Sequence, residues 1–135
     1  MVKALLDAGI SIHCLRDLTR GGLASALIEI AETAEVQIVI EETEIPLQPE
    51  VEEALELLGF DPLFVANEGC FALFLEAEEA SRALEILKRH PEGVDARLIG
   101  SVTGSKAQGQ VLARSAFGTE RLLTRLSGEQ LPRIC

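Results

Sequence analysis

The sequence predicts an α+β domain: a mixed, mostly antiparallel sheet with helices packed on it. Three observations carry this. Helix-like and strand-like segments alternate along the chain, told apart by the spacing of their apolar residues. Two strand-like runs near the end, Asp95 to Thr103 and Gln110 to Arg114, flank a polar turn at Gly104 to Gly109. They read as a hairpin-like pair and exclude a purely parallel sheet. The 135 residues are 47% hydrophobic, which suits one domain with a real core.

Taken in order, Met1 to Ala8 reads as the end of a helix closed by Gly9, so the chain is expected to be a piece of something longer. Ile10 to Leu15 alternates as a short strand. Asp17-Leu18-Thr19-Arg20-Gly21-Gly22 follows, and then Leu23, Ala26, Leu27, Ile30 and Ala31 recur at helical spacing, with Asp17 or Thr19 as the N-cap. Val36 to Ile40 is a β-branched strand with both faces covered. Pro46 and Pro49 break the chain before an amphipathic helix carrying Val51, Ala54, Leu55 and Leu58, closed by Gly59. Beyond Asp61-Pro62, the run Leu63 to Ala66 leads into Asn67-Glu68-Gly69. Cys70 to Leu75 is a third strand, and Ala77 to His90 a third helix that stops before Pro91. Gly118 and Thr119 precede a last short stretch ending near Leu126. The expected organisation is a domain over residues 1–126 and a flexible tail over 127–135.

Charge and composition exclude several functions. The net charge of −10 argues against nucleic acid, which needs a basic stripe. The acidic runs read as solvated faces. No apolar run approaches the ~20 residues that span a bilayer, and the first residues lack the apolar stretch of a signal peptide. The expectation is a soluble cytoplasmic protein. Cys14, Cys70 and Cys135 are odd in number and widely spaced, without a C-x-x-C pair, so neither a zinc site nor a disulfide framework is indicated. Cys14 and Cys70 lie in apolar stretches and are expected to be buried. His90 reads as a charge at a helix C-terminus, and His13 as a core or loop residue.

Chemistry has three candidate places. In Asp17-Leu18-Thr19-Arg20-Gly21-Gly22, two glycines opening a helix admit an anion to backbone N–H groups at the positive end of the dipole. Arg20 is placed to clamp phosphate oxygens, and Asp17 to hold a metal or orient Arg20. The alternative is a capped helix start with a tight turn. In Asn67-Glu68-Gly69, a carboxylate set between apolar runs is expected to have a raised pKa and to accept protons. The alternative is a plain turn. The third place is Cys135, a thiol at the end of a tail whose nine steps from Leu126 reach about 30 Å at ~3.3 Å per residue. Pro132 stiffens its tip, Arg133 is suited to phosphate, and Ile134 precedes the thiol.

Asp17 to Gly22, Val65-Ala66-Asn67-Glu68-Gly69, His90-Pro91-Glu92-Gly93 and the ending Ser127-Gly128-Glu129-Gln130-Leu131-Pro132-Arg133-Ile134-Cys135 together resemble HypE. These are the expression/formation proteins of nickel–iron hydrogenase maturation. The resemblance covers essentially the whole chain but only the C-terminal half of the family's length. The Asp-x-Thr-Arg-Gly-Gly element is also similar to aminoimidazole ribonucleotide synthetase and selenophosphate synthetase, whereas the Pro-Arg-Ile-Cys ending is far more specific to HypE.

The resemblance implies that a carbamoyltransferase, HypF, loads a carbamoyl group onto Cys135. HypE dehydrates it with ATP, and Mg accompanying the nucleotide, to a thiocyanate, whose cyano group passes to iron on a HypC–HypD complex. Glu68 is then the base and Asn67 orients the amide, while Asp17, Thr19, Arg20, Gly21 and Gly22 lie toward the nucleotide phosphates. The family's N-terminal ATP-binding domain is absent from this sequence. The 135 residues alone are therefore expected neither to bind ATP and Mg tightly nor to hydrolyse ATP. Two other readings are another enzyme of the same superfamily, such as a selenophosphate synthetase, and a non-enzymatic interaction module.

Overall fold

A computed structural model describes residues 1–104 and 109–125. Helix α1 (Val2–Asp7) ends where Gly9 takes a left-handed conformation, and strand β1 (Ile12–Leu18) follows. Helix α2 (Gly22–Ala34) leads through Glu35, itself left-handed at φ 54°, straight into β2 (Gln37–Glu41). Helix α3 (Pro49–Leu58) precedes β3 (Asn67–Leu75), and α4 (Ala80–Lys88) precedes β4 (Gly100–Thr103), β5 (Gln110–Arg114) and β6 (Glu120–Leu123).

The strands form two sheets. β1 and β3 make an antiparallel ribbon, and the other four lie in the order β4-β2-β5-β6. Among the described strands only β2 and β5 pair in parallel; the other pairings are antiparallel, so the mixed, mostly antiparallel class holds.

The hairpin expected between β4 and β5 does not form. Both strands pair with β2, which lies between them. Burial explains this choice: Ile38 and Ile40 of β2 are 2% and 1% exposed, and Val111 and Ala113 of β5 are fully buried, so β2 takes the centre rather than an edge. β4 and β5 still run antiparallel to each other, as a hairpin's strands would, with a third strand between them. A hairpin instead joins β5 to β6, where the Ser115 N–H donates to the Thr119 carbonyl at 2.9 Å and Gly118 takes φ 78°.

Strand β3 divides the interior. Ala72 and Phe74 belong to a core built from Leu23, Leu27, Ile28 and Ala31 of α2 and from the inner residues of β2, β5 and β6. Phe71, Leu73 and Leu75 belong to a second core with Leu5 of α1 and Ala83 and Leu87 of α4. The period of two along a strand sends alternate side chains to opposite faces, so β3 contributes to a core on each side of the ribbon.

Other expectations change at the edges. The helix expected over Ala77 to His90 divides into a 3-10 turn at Ala77–Glu79 and α4. The strand expected from Asp95 forms only at Gly100. The apolar stripe of α3 is largely uncovered among the described residues: Leu55 is half-buried, but Val51 and Leu58 are 45% and 63% exposed, and Leu57 beside them is 89% exposed. Its ends hold it, through Pro49 in the first turn and left-handed Gly59 after the last. His13 lies on β1 and pairs with Glu76 at 3.4 Å, in neither core nor loop. No helix among the described residues is long and apolar enough to cross a membrane.

The two kinds of leucine should differ sharply. Leu27→Ala is expected to cost about 2–5 kcal/mol in urea unfolding, and Leu57→Ala no more than about 0.5 kcal/mol. Equal losses would contradict this assignment of the core.

Candidate functional site

The β1–β3 ribbon brings two of the three sequence candidates together. Its register runs regularly from Cys14 opposite Phe74 to Asp17 opposite Phe71, and then jumps to Leu18 opposite Asn67. One step on β1 thus spans four on β3, leaving Glu68, Gly69 and Cys70 as a bulge with no partner on β1. Gly69 makes the bulge possible at φ 90°, a conformation few other residues adopt. Bulges of this kind redirect side chains and recur beside active sites. Asp17 and Leu18 on one strand and Asn67 and Glu68 on the other therefore share one end of the ribbon.

The second constraint lies at the start of α2. Gly21 (φ 76°) occupies the N-cap and no side chain caps the helix, so neither Asp17 nor Thr19 plays the role expected of it. Asp17 is committed to β1, while the Thr19 carbonyl accepts from the Gly22 N–H at 3.1 Å and closes the turn. Gly22 has φ 60°, and a Cβ there would run into the carbonyl oxygens of Leu63 and Val65 and the carbonyl carbon of Phe64. The close approach that Gly22 permits is thus filled by the segment leading into Asn67, and no ligand is needed to explain this glycine. The Gly-Gly pair is what lets α2 start flush against the backbone that delivers the bulge.

Asp61 shapes that segment. Its Oδ1 accepts from the Leu63 N–H at 3.0 Å, fixing the 3-10 turn at Pro62–Phe64. Its Oδ2 accepts from Arg121 Nη1 at 2.8 Å, while Arg121 Nε donates to Glu42 at 2.7 Å. Burial pulls the Arg121 pKa down, but the hydrogen bonds to Asp61 and Glu42 outweigh it and hold the guanidinium above its ordinary value. On the outer face of α2, Arg125 bonds both carboxylate oxygens of Glu32, which lowers the Glu32 pKa.

The exposed groups at this end are Asp17, Arg20, Asn67, Glu68 and Cys70. Arg20 has no ion-pair partner among the described residues, and Asp17 has only Arg16 at 3.9 Å. Glu68 does not lie between apolar walls as the flanking runs suggested, because the bulge turns it outward. The same bulge exposes Cys70, and Cys14 is only half-buried, so neither is the core residue expected. An open cleft of about 1430 Å³, lined from both sides of β3 by residues of α2, α4, β2 and β4, is bordered by Asn67, Gly69 and Cys70 but not by Glu68, Asp17 or Arg20. Among the described residues no three His, Cys, Asp or Glu side chains gather as a metal site. Pro132, Arg133, Ile134 and Cys135 lie outside the described residues. Sequence reasoning missed Arg121 and Asp61, although Asp61-Pro62 is itself the signature of a side-chain-shaped turn.

Comparison with known proteins assigns the fold. Residues 1–112 match the family model of the AIR synthase related protein, C-terminal domain. The chain belongs to this family. It is 51% identical to the carbamoyl dehydratase HypE of Rhodobacter capsulatus over 135 residues, all of this chain but 39% of that protein. A crystal structure of the hydrogenase maturation protein HypE in complex with ATP superposes with a TM-score of 0.91 at 43% identity, covering 99% of this chain and 41% of that one. HypE in a HypE–HypF complex gives 0.86 at 39% identity, over 93% and 40% of the two chains. The HypE resemblance read from the motifs thus extends over the whole of this AIR synthase-related domain, which spans about two fifths of its relatives' length.

Gly22→Ala meets both a strained φ and a backbone collision, so it should lower stability by more than ~1 kcal/mol. Gly69→Ala meets the strain alone, since nothing lies within 4 Å of its added Cβ, and should cost less. Urea midpoints in the reverse order would remove the close approach at Gly22 from the account.

Proposed function

We propose that this chain is the carrier and part-catalytic C-terminal portion of a HypE-type carbamoyl dehydratase. One observation carries the reading: the bulged β1–β3 ribbon sets Asn67 and Glu68 beside Asp17 and Leu18 in a chain similar to HypE along its entire length. In this reading residues 1–126 form the folded part and residues 127–135 the carrier tail.

The chemistry needs three things. Cys135 carries the carbamoyl group as a thiocarbamate, R–S–C(O)NH2, supplied through HypF. An amide oxygen is a poor leaving group, so ATP phosphorylates it and the oxygen departs as phosphate. Both N–H protons leave as the carbon–nitrogen triple bond forms, giving R–S–C≡N, ADP and phosphate, and the cyano group passes on to iron on HypC–HypD. Glu68 accepts a proton from the nitrogen, and Asn67, with both a donor and an acceptor, holds the amide. Their exposure leaves them open to a group arriving from outside the fold, as a carrier tail requires. Thr19, Arg20 and the start of α2 lie toward the phosphates, with Arg20 uncommitted to any described partner. Asp17 and Glu68 are the two exposed carboxylates at this end, and among the described residues no third His, Cys, Asp or Glu joins them in a cluster fit to hold Mg, so no step is assigned to a metal on these residues.

The test is intact mass after incubation with HypF, carbamoyl phosphate and ATP. A carbamoyl adduct confined to Cys135 is expected, and an unmodified Cys135 beside active HypF would overturn the carrier role. Conversion to thiocyanate should require the ATP-binding portion found in the longer relatives, added in cis or in trans. With it present, Glu68→Gln should leave the carbamoyl adduct in place and slow dehydration by about 10²-fold or more. Unchanged thiocyanate formation would remove Glu68 from the mechanism.

A further inference from the structure

Arg121 lies on β6, opposite Ala113 and on a different sheet from Asn67 and Glu68, yet its contacts lead to them. Its guanidinium spans two carboxylates on separate segments: Glu42, just beyond the end of β2, and Asp61, at the start of the segment that feeds β3. Asp61 uses its two oxygens differently, one on Arg121 and one on the Leu63 N–H. The Phe64 N–H donates to the Asp61 carbonyl at 3.0 Å, and the Val65 N–H to the Pro62 carbonyl at 3.3 Å. The next constraint is the press of the Leu63 and Val65 carbonyls on Gly22, and the next is the pairing of Asn67 with Leu18. Every residue from Asp61 to Val65 is thus held by a hydrogen bond or a backbone contact. Arg121 is the cation at the head of that series.

The same strand also leads toward the tail. β6 ends at Leu123, and residues 126–135 follow within a few positions. We infer that Arg121 is a positioning residue that locks the strand leading to the carrier segment onto the segment presenting Asn67 and Glu68. The inference rests on the function proposed above for its effect on chemistry, but not for its effect on structure. Arg121 serves the dehydration step, in which the loaded thiol must meet Asn67 and Glu68. It does not serve loading of Cys135, which happens on another protein.

Arg114 provides a matched control. It lies on the neighbouring strand and also spans two carboxylates, Glu41 and Glu120, but makes no hydrogen bond or ion pair to the described residues between Asp61 and Asn67. A general weakening of this sheet edge would follow from losing either arginine. A positioning role belongs to Arg121 alone.

The experiment compares Arg121→Ala, the milder Asp61→Asn and Arg114→Ala in the protein complemented with its ATP-binding portion. Carbamoyl loading of Cys135 should match the unsubstituted protein in all three. Single-turnover thiocyanate formation should fall about tenfold or more in Arg121→Ala and Asp61→Asn, stay unchanged in Arg114→Ala, and fall no further in the Arg121→Ala, Asp61→Asn double variant. Amide hydrogen exchange supplies a readout independent of catalysis. Leu63, Phe64, Val65 and Asn67 should exchange about tenfold faster in Arg121→Ala, while Leu5 and Leu87 in the second core stay as they were. Normal thiocyanate formation in Arg121→Ala, or equal losses in Arg114→Ala, would overturn the inference. If the unsubstituted protein forms no thiocyanate, the proposed function fails, and exchange alone then decides: unchanged exchange at Leu63 to Asn67 rejects the clamp, and faster exchange confined there sustains it.

Discussion

The pairing of β1 with β3 is the contact on which the rest of this structure depends. A two-stranded ribbon in water is marginal at best, and this one persists because apolar side chains on each face of β3 pack against a core, with Ala72 buried and its apolar neighbours half-buried. Ala72 and Phe74 pack toward α2 and the larger sheet, and Phe71, Leu73 and Leu75 toward α1 and α4. The ribbon joins two cores that otherwise have little in common. Its regular part ends where those cores end, and the polar bulge begins there. Order in the site is therefore borrowed from apolar burial next to it.

Much of this was legible in the sequence, and the reasons differ from place to place. Helix α2 was readable because Leu23, Ala26, Leu27 and Ala31 keep one helical period within its thirteen residues and all four are buried. The α+β class was readable from the alternation of elements. The partner of β4 was not, because the alternation in residues 95–114 specifies strands but not which strand lies between them; the burial of β2 decided that, and burial is a property of the whole chain. The apolar stripe of α3 was visible as a pattern, yet periodicity cannot say what covers a stripe, and among the described residues only Leu55 of it is half-buried.

The site divides in the same way. The residue types of the Asp17 and Asn67 motifs marked both as chemical, but their being neighbours depends on a register jump across about fifty residues of sequence separation, which no local pattern encodes. The environment expected for Glu68 failed for the same reason: flanking apolar residues suggested walls, and the bulge points the carboxylate away from them. The glycines after Arg20 were read as room for an anion; Gly22 instead makes room for the chain's own backbone. The fold uses one glycine to dock the helix and another to form the bulge, and the carboxylate and amide between them are left exposed. That arrangement suits a site completed by a group brought from elsewhere.

The bulged register can be measured directly by amide and Hα nuclear Overhauser contacts between residues 14–18 and 67–74. The account predicts cross-strand contacts joining Asp17 to Phe71 and Leu18 to Asn67, and none joining Glu68, Gly69 or Cys70 to β1. An uninterrupted ladder, with Leu18 opposite Cys70, would move Asn67 and Glu68 away from Asp17 and contradict the site as described.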